Sequence, residues 1–115
     1  MDLAIRWLAK NHYSRVRYRA KKMGATYIDL THFRHRVKFE YTTVTFAFGP
    51  FECYANISAN DAYKGAFCDE ESANKIKKDI DVALEFMTFL HKFNDELKEE
   101  WKEKGEEYAN NTKES

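Results

Sequence analysis

Apolar and polar residues alternate through the middle of this chain. Val37, Phe39 and Tyr41 alternate with Arg36, Lys38 and Glu40. Val44, Phe46 and Phe48 alternate with Thr43, Thr45 and Ala47. Phe51, Cys53, Ala55 and Ile57 alternate with Glu52, Tyr54 and Asn56. A period of two sends the two sets to opposite faces, so residues 25–57 predict half-buried antiparallel strands. Residues 27–31 add a first strand. Tight turns are expected near Tyr41-Thr42-Thr43 and at Gly49-Pro50. A single sheet with one apolar face needs a cover, and only helices remain to supply it.

On both sides of this stretch the period becomes helical. Ile5, Leu8, Val16, Ala20 and Met23 share one face of a helix over 3–23. Arg6, Lys10, Arg17 and Lys21 line a neighbouring face, with Tyr13 beside them. Arg15, Arg17, Arg19 and Lys21 also alternate with Val16, Tyr18 and Ala20, which is a strand period. The good helix formers before Asn11, the lysines at 21 and 22 and a terminating Gly24 favour the helix. Residues 58–68 form a connection, with Ser58–Asp61 capping a short turn that Gly65 ends. Asp69 is then an N-cap, followed by Glu70 and Glu71 in the first turn.

From Ser72 to about Tyr108 an apolar stripe runs through Ile76, Ile80, Ala83, Met87, Leu90, Leu97 and Trp101, widened by Leu84 and Phe86. A straight helix of that length would span about 55 Å. The radius of gyration expected for such a domain is only about 13 Å. A break, a coiled-coil dimer or a protruding helix would each resolve the mismatch. Asn94 and Asp95 favour caps over helix interiors, so a break is expected near Asn94. The predicted architecture is α+β: an N-terminal helix, a three- to four-stranded antiparallel meander and a long C-terminal helix broken near Asn94. Residues 1–109 form one domain, and 110–115 a disordered tail.

Composition narrows the classes. At 115 residues, 43% of them apolar and eighteen aromatic, the chain can build a core. One proline and four glycines exclude collagen-like and linker sequences. No apolar run approaches the roughly 20 residues of a membrane span. The start, Met-Asp-Leu-Ala-Ile-Arg-Trp, has no basic leader before an apolar stretch, so a cytoplasmic protein with Cys53 and Cys68 reduced is expected.

Charge is divided by position. Residues 1–50 hold ten Lys/Arg and three Asp/Glu, and residues 51–115 hold nine Lys and sixteen Asp/Glu, so +7 balances −7. Such asymmetry points to a charged partner, or to one half docking on the other.

The motifs of chemistry are missing. His32 and His35 would point to opposite faces of a strand, and there is no CxxC, HExxH or GxSxG. The glycines do not cluster into a phosphate loop. No cofactor, metal or enzymatic activity is expected. Binding surfaces are better supported. His32, Arg34, Arg36 and Lys38 alternate along one strand and share its wet face, where Thr43, Thr45 and Tyr54 join them. Basic groups interleaved with an aromatic ring and hydroxyls suit nucleic acid. With Arg6, Lys10, Arg17 and Lys21 they make the candidate basic surface. Glu96, Glu99, Glu100 and Glu103 around Trp101 make a candidate acidic one, suited to a basic groove.

The order helix–strands–helix, Gly49-Pro50, and Lys75, Lys77 and Lys78 near the last helix start resemble the double-stranded-RNA-binding domain. The chain departs from that family at Phe51 and Glu52, where a histidine would follow the turn, and in the acidic Asp69, Glu70 and Glu71. In size, aromatic content and lack of motifs the chain is similar to small phage-encoded inhibitors of host defence such as anti-CRISPR proteins. The leading expectation is therefore a non-enzymatic protein-binding module, an inhibitor of a host defence or nucleic-acid-handling protein. Nucleic-acid binding and a homodimer built on the C-terminal helix are the alternatives.

Overall fold

The computed structural model describes residues 2–31, 34–60 and 69–114, with side chains described for 7–31, 34–60 and 69–103. Two helices, α1 (Asp2–Asn11) and α2 (Tyr13–Lys22), precede four strands, β1 (Tyr27–Asp29), β2 (His35–Lys38), β3 (Thr42–Ala47) and β4 (Tyr54–Ala59), and α3 (Glu70–Glu114) follows. The class is the expected α+β one.

The single N-terminal helix expected over 3–23 is instead two. The chain bends at His12, whose φ of −112° and ψ of 13° leave helical geometry. Asn11 and His12 are poorer helix formers than the residues before them, so the bend falls where it costs least. Leu8 and Ala9 of α1 and Val16 and Ala20 of α2 all reach the same core. Gly24 ends α2 as expected. Its φ is +93°, a conformation glycine adopts without strain. The N–H groups of Gly24 and Ala25 donate to the carbonyls of Lys21 and Ala20, closing a Schellman motif.

The strands form one antiparallel meander in the order β1-β2-β3-β4. The inner face carries His35, Val37, Thr42, Val44 and Phe46, all buried, and the helices lie against it. Phe39, Phe46 and Phe48 from the sheet meet Phe86 and Phe93 of α3 edge-on, at centroid distances of 5.3 to 5.9 Å. Such geometry suits the ring quadrupole and adds to the area these rings bury.

The break expected near Asn94 is absent. The helix α3 runs through Asn94 and Asp95 without interruption for 45 residues. At about 1.5 Å per residue it is about 67 Å long, and the molecule measures 68 × 21 × 21 Å. Asn94 stays helical because its amide finds two partners: Gly49 N–H donates to Oδ1 at 3.1 Å, and Nδ2 donates to Gly49 O at 3.0 Å. At the other end of the sheet Asp79 accepts from Tyr41 N–H at 3.0 Å and the Thr42 hydroxyl at 2.8 Å. Fifteen helical residues from Asp79 to Asn94 rise about 22 Å. The seven residues from Thr42 to Gly49 extend about 23 Å. Helix rise and strand rise thus match, and α3 is fastened to both ends of β3. Asp69 caps α3 as expected, accepting from Ser72 N–H at 2.8 Å, and this bond lowers its carboxyl pKa. At the far end, 110–114 carry helical backbone where a tail was expected.

Phe51 departs from its expected inward phase. It precedes β4 in the Gly49-Pro50 turn and is 84% exposed. A Cβ at Gly49 would meet the Glu52 carbonyl at 3.0 Å, so the turn is closed too tightly for a side chain there. Ser58 and Ala59 belong to β4. The short helical turn expected in the connection falls on 61–68, outside the described residues.

Candidate binding surface on the open sheet face

No described element covers the outer face of the sheet. Alternation along β2 sends His35 and Val37 into the core and turns Arg36 and Lys38 outward. The strand register sets the outer residues in rows. One row is Tyr27, Lys38, Thr43 and Ser58; the next is Asp29, Arg36, Thr45 and Asn56; Ala47 and Tyr54 begin a third. Arg34 places its guanidinium 5.7 Å from the Tyr54 ring centroid, and Lys38 Nζ lies 5.1 Å from that of Tyr27. An open trough of about 310 Å³ runs between them, lined by Arg36, Lys38, Thr43, Thr45, Ser58 and Asn60.

The basic surface continues around the β1 edge. Arg17 and Lys21 of α2 are exposed and border a second recess of about 230 Å³ together with Thr26 and Tyr27. A third, of about 350 Å³, joins Arg17 and Lys21 to Tyr13 and to Tyr18, which is 68% exposed. Tyr27 therefore links the helix cations to the sheet cations. Among the described residues Lys10, Arg17, Lys21, Arg34, Arg36 and Lys38 make no ion pair. Asp29 stands across from Arg36, and its Oδ1 accepts from the Thr31 amide at 3.0 Å and hydroxyl at 2.7 Å. Lys10 is exposed on α1, and the side chain of Arg6 and all of His32 lie outside the described residues.

The acidic candidates divide. Glu96 binds Arg15 at 2.9 Å and Glu100 lies 3.2 Å from His12, so both face the N-terminal helices. Arg15 also covers Phe93, and Arg19 covers Phe89. Glu99 and Glu103 are exposed, with Lys102 4.0 Å from Glu99. Trp101 is half-buried against the core and, with Pro50, Phe51 and Lys98, borders a recess of about 280 Å³. Lys98 bridges Asp95 at 3.3 Å and the Phe51 carbonyl at 2.7 Å.

Two titratable groups are turned inward. The Tyr13 hydroxyl meets His35 Nε2 at 2.9 Å, while the buried Nδ1 has no partner. Burial lowers the imidazole pKa, with Asp29 opposing. Cys53 is a buried free thiol, pushed up to about 12 by burial and then by Glu52. At neutral pH it is protonated and not nucleophilic. Among the described residues no cluster of His, Cys, Asp and Glu could hold a metal ion, and no helix is long and apolar enough to cross a membrane.

The surface so assembled offers cations for phosphate, hydroxyls for hydrogen bonds and ring faces for stacking. The strand period exposes Arg34, Arg36, Lys38 and Tyr54 to view in the sequence. Tyr27 and Tyr18 escape that pattern, because only the packing of α2 beside β1 joins them to the sheet. No family model, curated protein or solved structure matches the chain.

Proposed function

We propose that this protein is a non-enzymatic nucleic-acid-binding module that holds its ligand on the open face of the sheet and the adjoining face of α2. The observation that carries this reading is the row of Arg34, Arg36 and Lys38, free of carboxylate partners and flanked by exposed tyrosines. Cations that the fold does not neutralise are available to phosphates, and the tyrosines supply the stacking faces that bases use. A mobility-shift titration tests it. A complex should form at low salt and dissociate as salt rises, and Arg36→Glu should weaken it. The absence of any complex at low salt would remove the reading.

A protein-binding module, and more narrowly an inhibitor of a host nucleic-acid-handling protein, is a second reading favoured by a different observation. Phe51 stands almost fully exposed beside Pro50 and the half-buried Trp101. An aromatic anchor rimmed by charged side chains is the anatomy of a binding hot spot. Under this reading Phe51→Asp abolishes capture of the partner while leaving nucleic-acid affinity unchanged. Retention of capture by that variant would count against it.

A further inference from the structure

Tyr27 and Tyr54 occupy opposite corners of the open face. Tyr27 opens β1 in the row that ends at Ser58, and Tyr54 opens β4 four residues before Ser58. Three strand spacings across and four residues along place the two positions about 20 Å apart on a diagonal. Each side chain is half exposed, at 47% and 51%. Each has a cation 5 to 6 Å from its centroid. The ground between them is low and polar. Arg36 and Thr45 lie on the diagonal, and the small Ala47 separates the Arg34 position from Tyr54 in the register.

We infer that this diagonal is a seat for single-stranded nucleic acid, with one base stacked on Tyr27, another on Tyr54, and the intervening phosphates on Arg36 and Lys38. This inference rests on the nucleic-acid reading above and specifies its ligand. A duplex stacks its bases inside and offers the two rings nothing to lie against, whereas unpaired bases present free faces to aromatic and guanidinium groups. An acidic protein segment would satisfy the cations and leave the rings without a role. The diagonal accommodates roughly four nucleotides, the short end of known single-strand sites.

Fluorescence anisotropy on the full chain tests the inference with four probes at one salt concentration. These are a twelve-residue oligothymidylate, an abasic strand of equal length and charge, a duplex of equal length, and polyglutamate. The oligothymidylate should bind at least tenfold tighter than the other three. Tyr27→Leu and Tyr54→Leu should each weaken it about 5- to 150-fold, and Tyr27→Phe and Tyr54→Phe should restore it to within about twofold by keeping the ring face. Equal affinity for the abasic strand, or tighter binding of the duplex, overturns the stacked single-strand seat but leaves a nucleic-acid surface. Preference for polyglutamate, or no binding of any oligonucleotide, overturns both.

Discussion

The seam between α2 and α3 and the open face of the sheet carry the same kinds of cation in different company. At the seam Arg15 reaches Glu96 at 2.9 Å and covers Phe93, Arg19 covers Phe89, and His12 meets Glu100. On the open face Arg34 and Lys38 lie near tyrosine rings, and Arg36 faces an aspartate already engaged by Thr31. The division of charge between the two halves of the chain therefore has two outcomes. Where the basic helix touches the acidic one, charges and rings neutralise each other and serve the fold. Where the basic strand faces solvent, they do not. The side of the element, rather than the half of the sequence, decides which cations remain available.

The largest effects should come from beneath the seam. Phe86→Ala removes a ring that joins Phe39 and Phe46, and should cost about 3–5 kcal/mol of stability by urea unfolding. Asn94→Leu leaves the Gly49 N–H and carbonyl without partners in a buried place, and should cost about 2–4 kcal/mol in the same measurement. Asn94→Leu should also leave the helix content unchanged, since the amide fastens α3 to the turn and does not terminate it. A loss of helix by circular dichroism would show that Asn94 acts through the helix itself.

Acid should weaken the fold through His35. Its imidazole is depressed below the ordinary 6.5 by burial. Below that value the unfolded chain binds more protons than the native one, so stability rises with pH and is complete above about pH 7. Thermal midpoints should fall as pH drops through 6.5, and His35→Leu should flatten that fall. An identical profile in the variant would assign the acid sensitivity elsewhere. A smaller change is expected at Arg15→Ala. Both partners of the Arg15–Glu96 pair are about half exposed, so its loss should cost under about 1 kcal/mol. Smallest of all, replacing Arg34, Arg36 and Lys38 together by alanine should move stability by less than about 0.5 kcal/mol for each site.

The period-two alternation of Arg36 to Lys38 and Thr43 to Thr45 made the outer face readable from the chain alone, because a pleated strand has only two sides. Asp69 and Gly24 were readable for a similar reason, since caps depend on neighbours a few residues away. Asn94 was misleading because its partner is the backbone of Gly49, 45 residues distant. Nothing local says whether a mid-helix asparagine ends a helix or grips a turn. Phe51 misled in the opposite direction. Its spacing fits β4, but the Gly49-Pro50 turn carries it past the end of the sheet. Tyr27 was seen as a strand residue and not as part of a surface, because its neighbours Lys21 and Lys38 come from two other elements.

The central claim is that the open-face cations serve a ligand while the seam cations serve the fold. It is tested most directly by comparing the wild type with the Arg34→Ala, Arg36→Ala, Lys38→Ala triple variant on the same oligothymidylate across a salt series. The slope of log Kobs against log salt should become shallower by about 2, the value for three lost phosphate contacts on a single strand, with the urea midpoint unchanged. An unchanged slope, or a midpoint lowered as far as in Asn94→Leu, would contradict the claim.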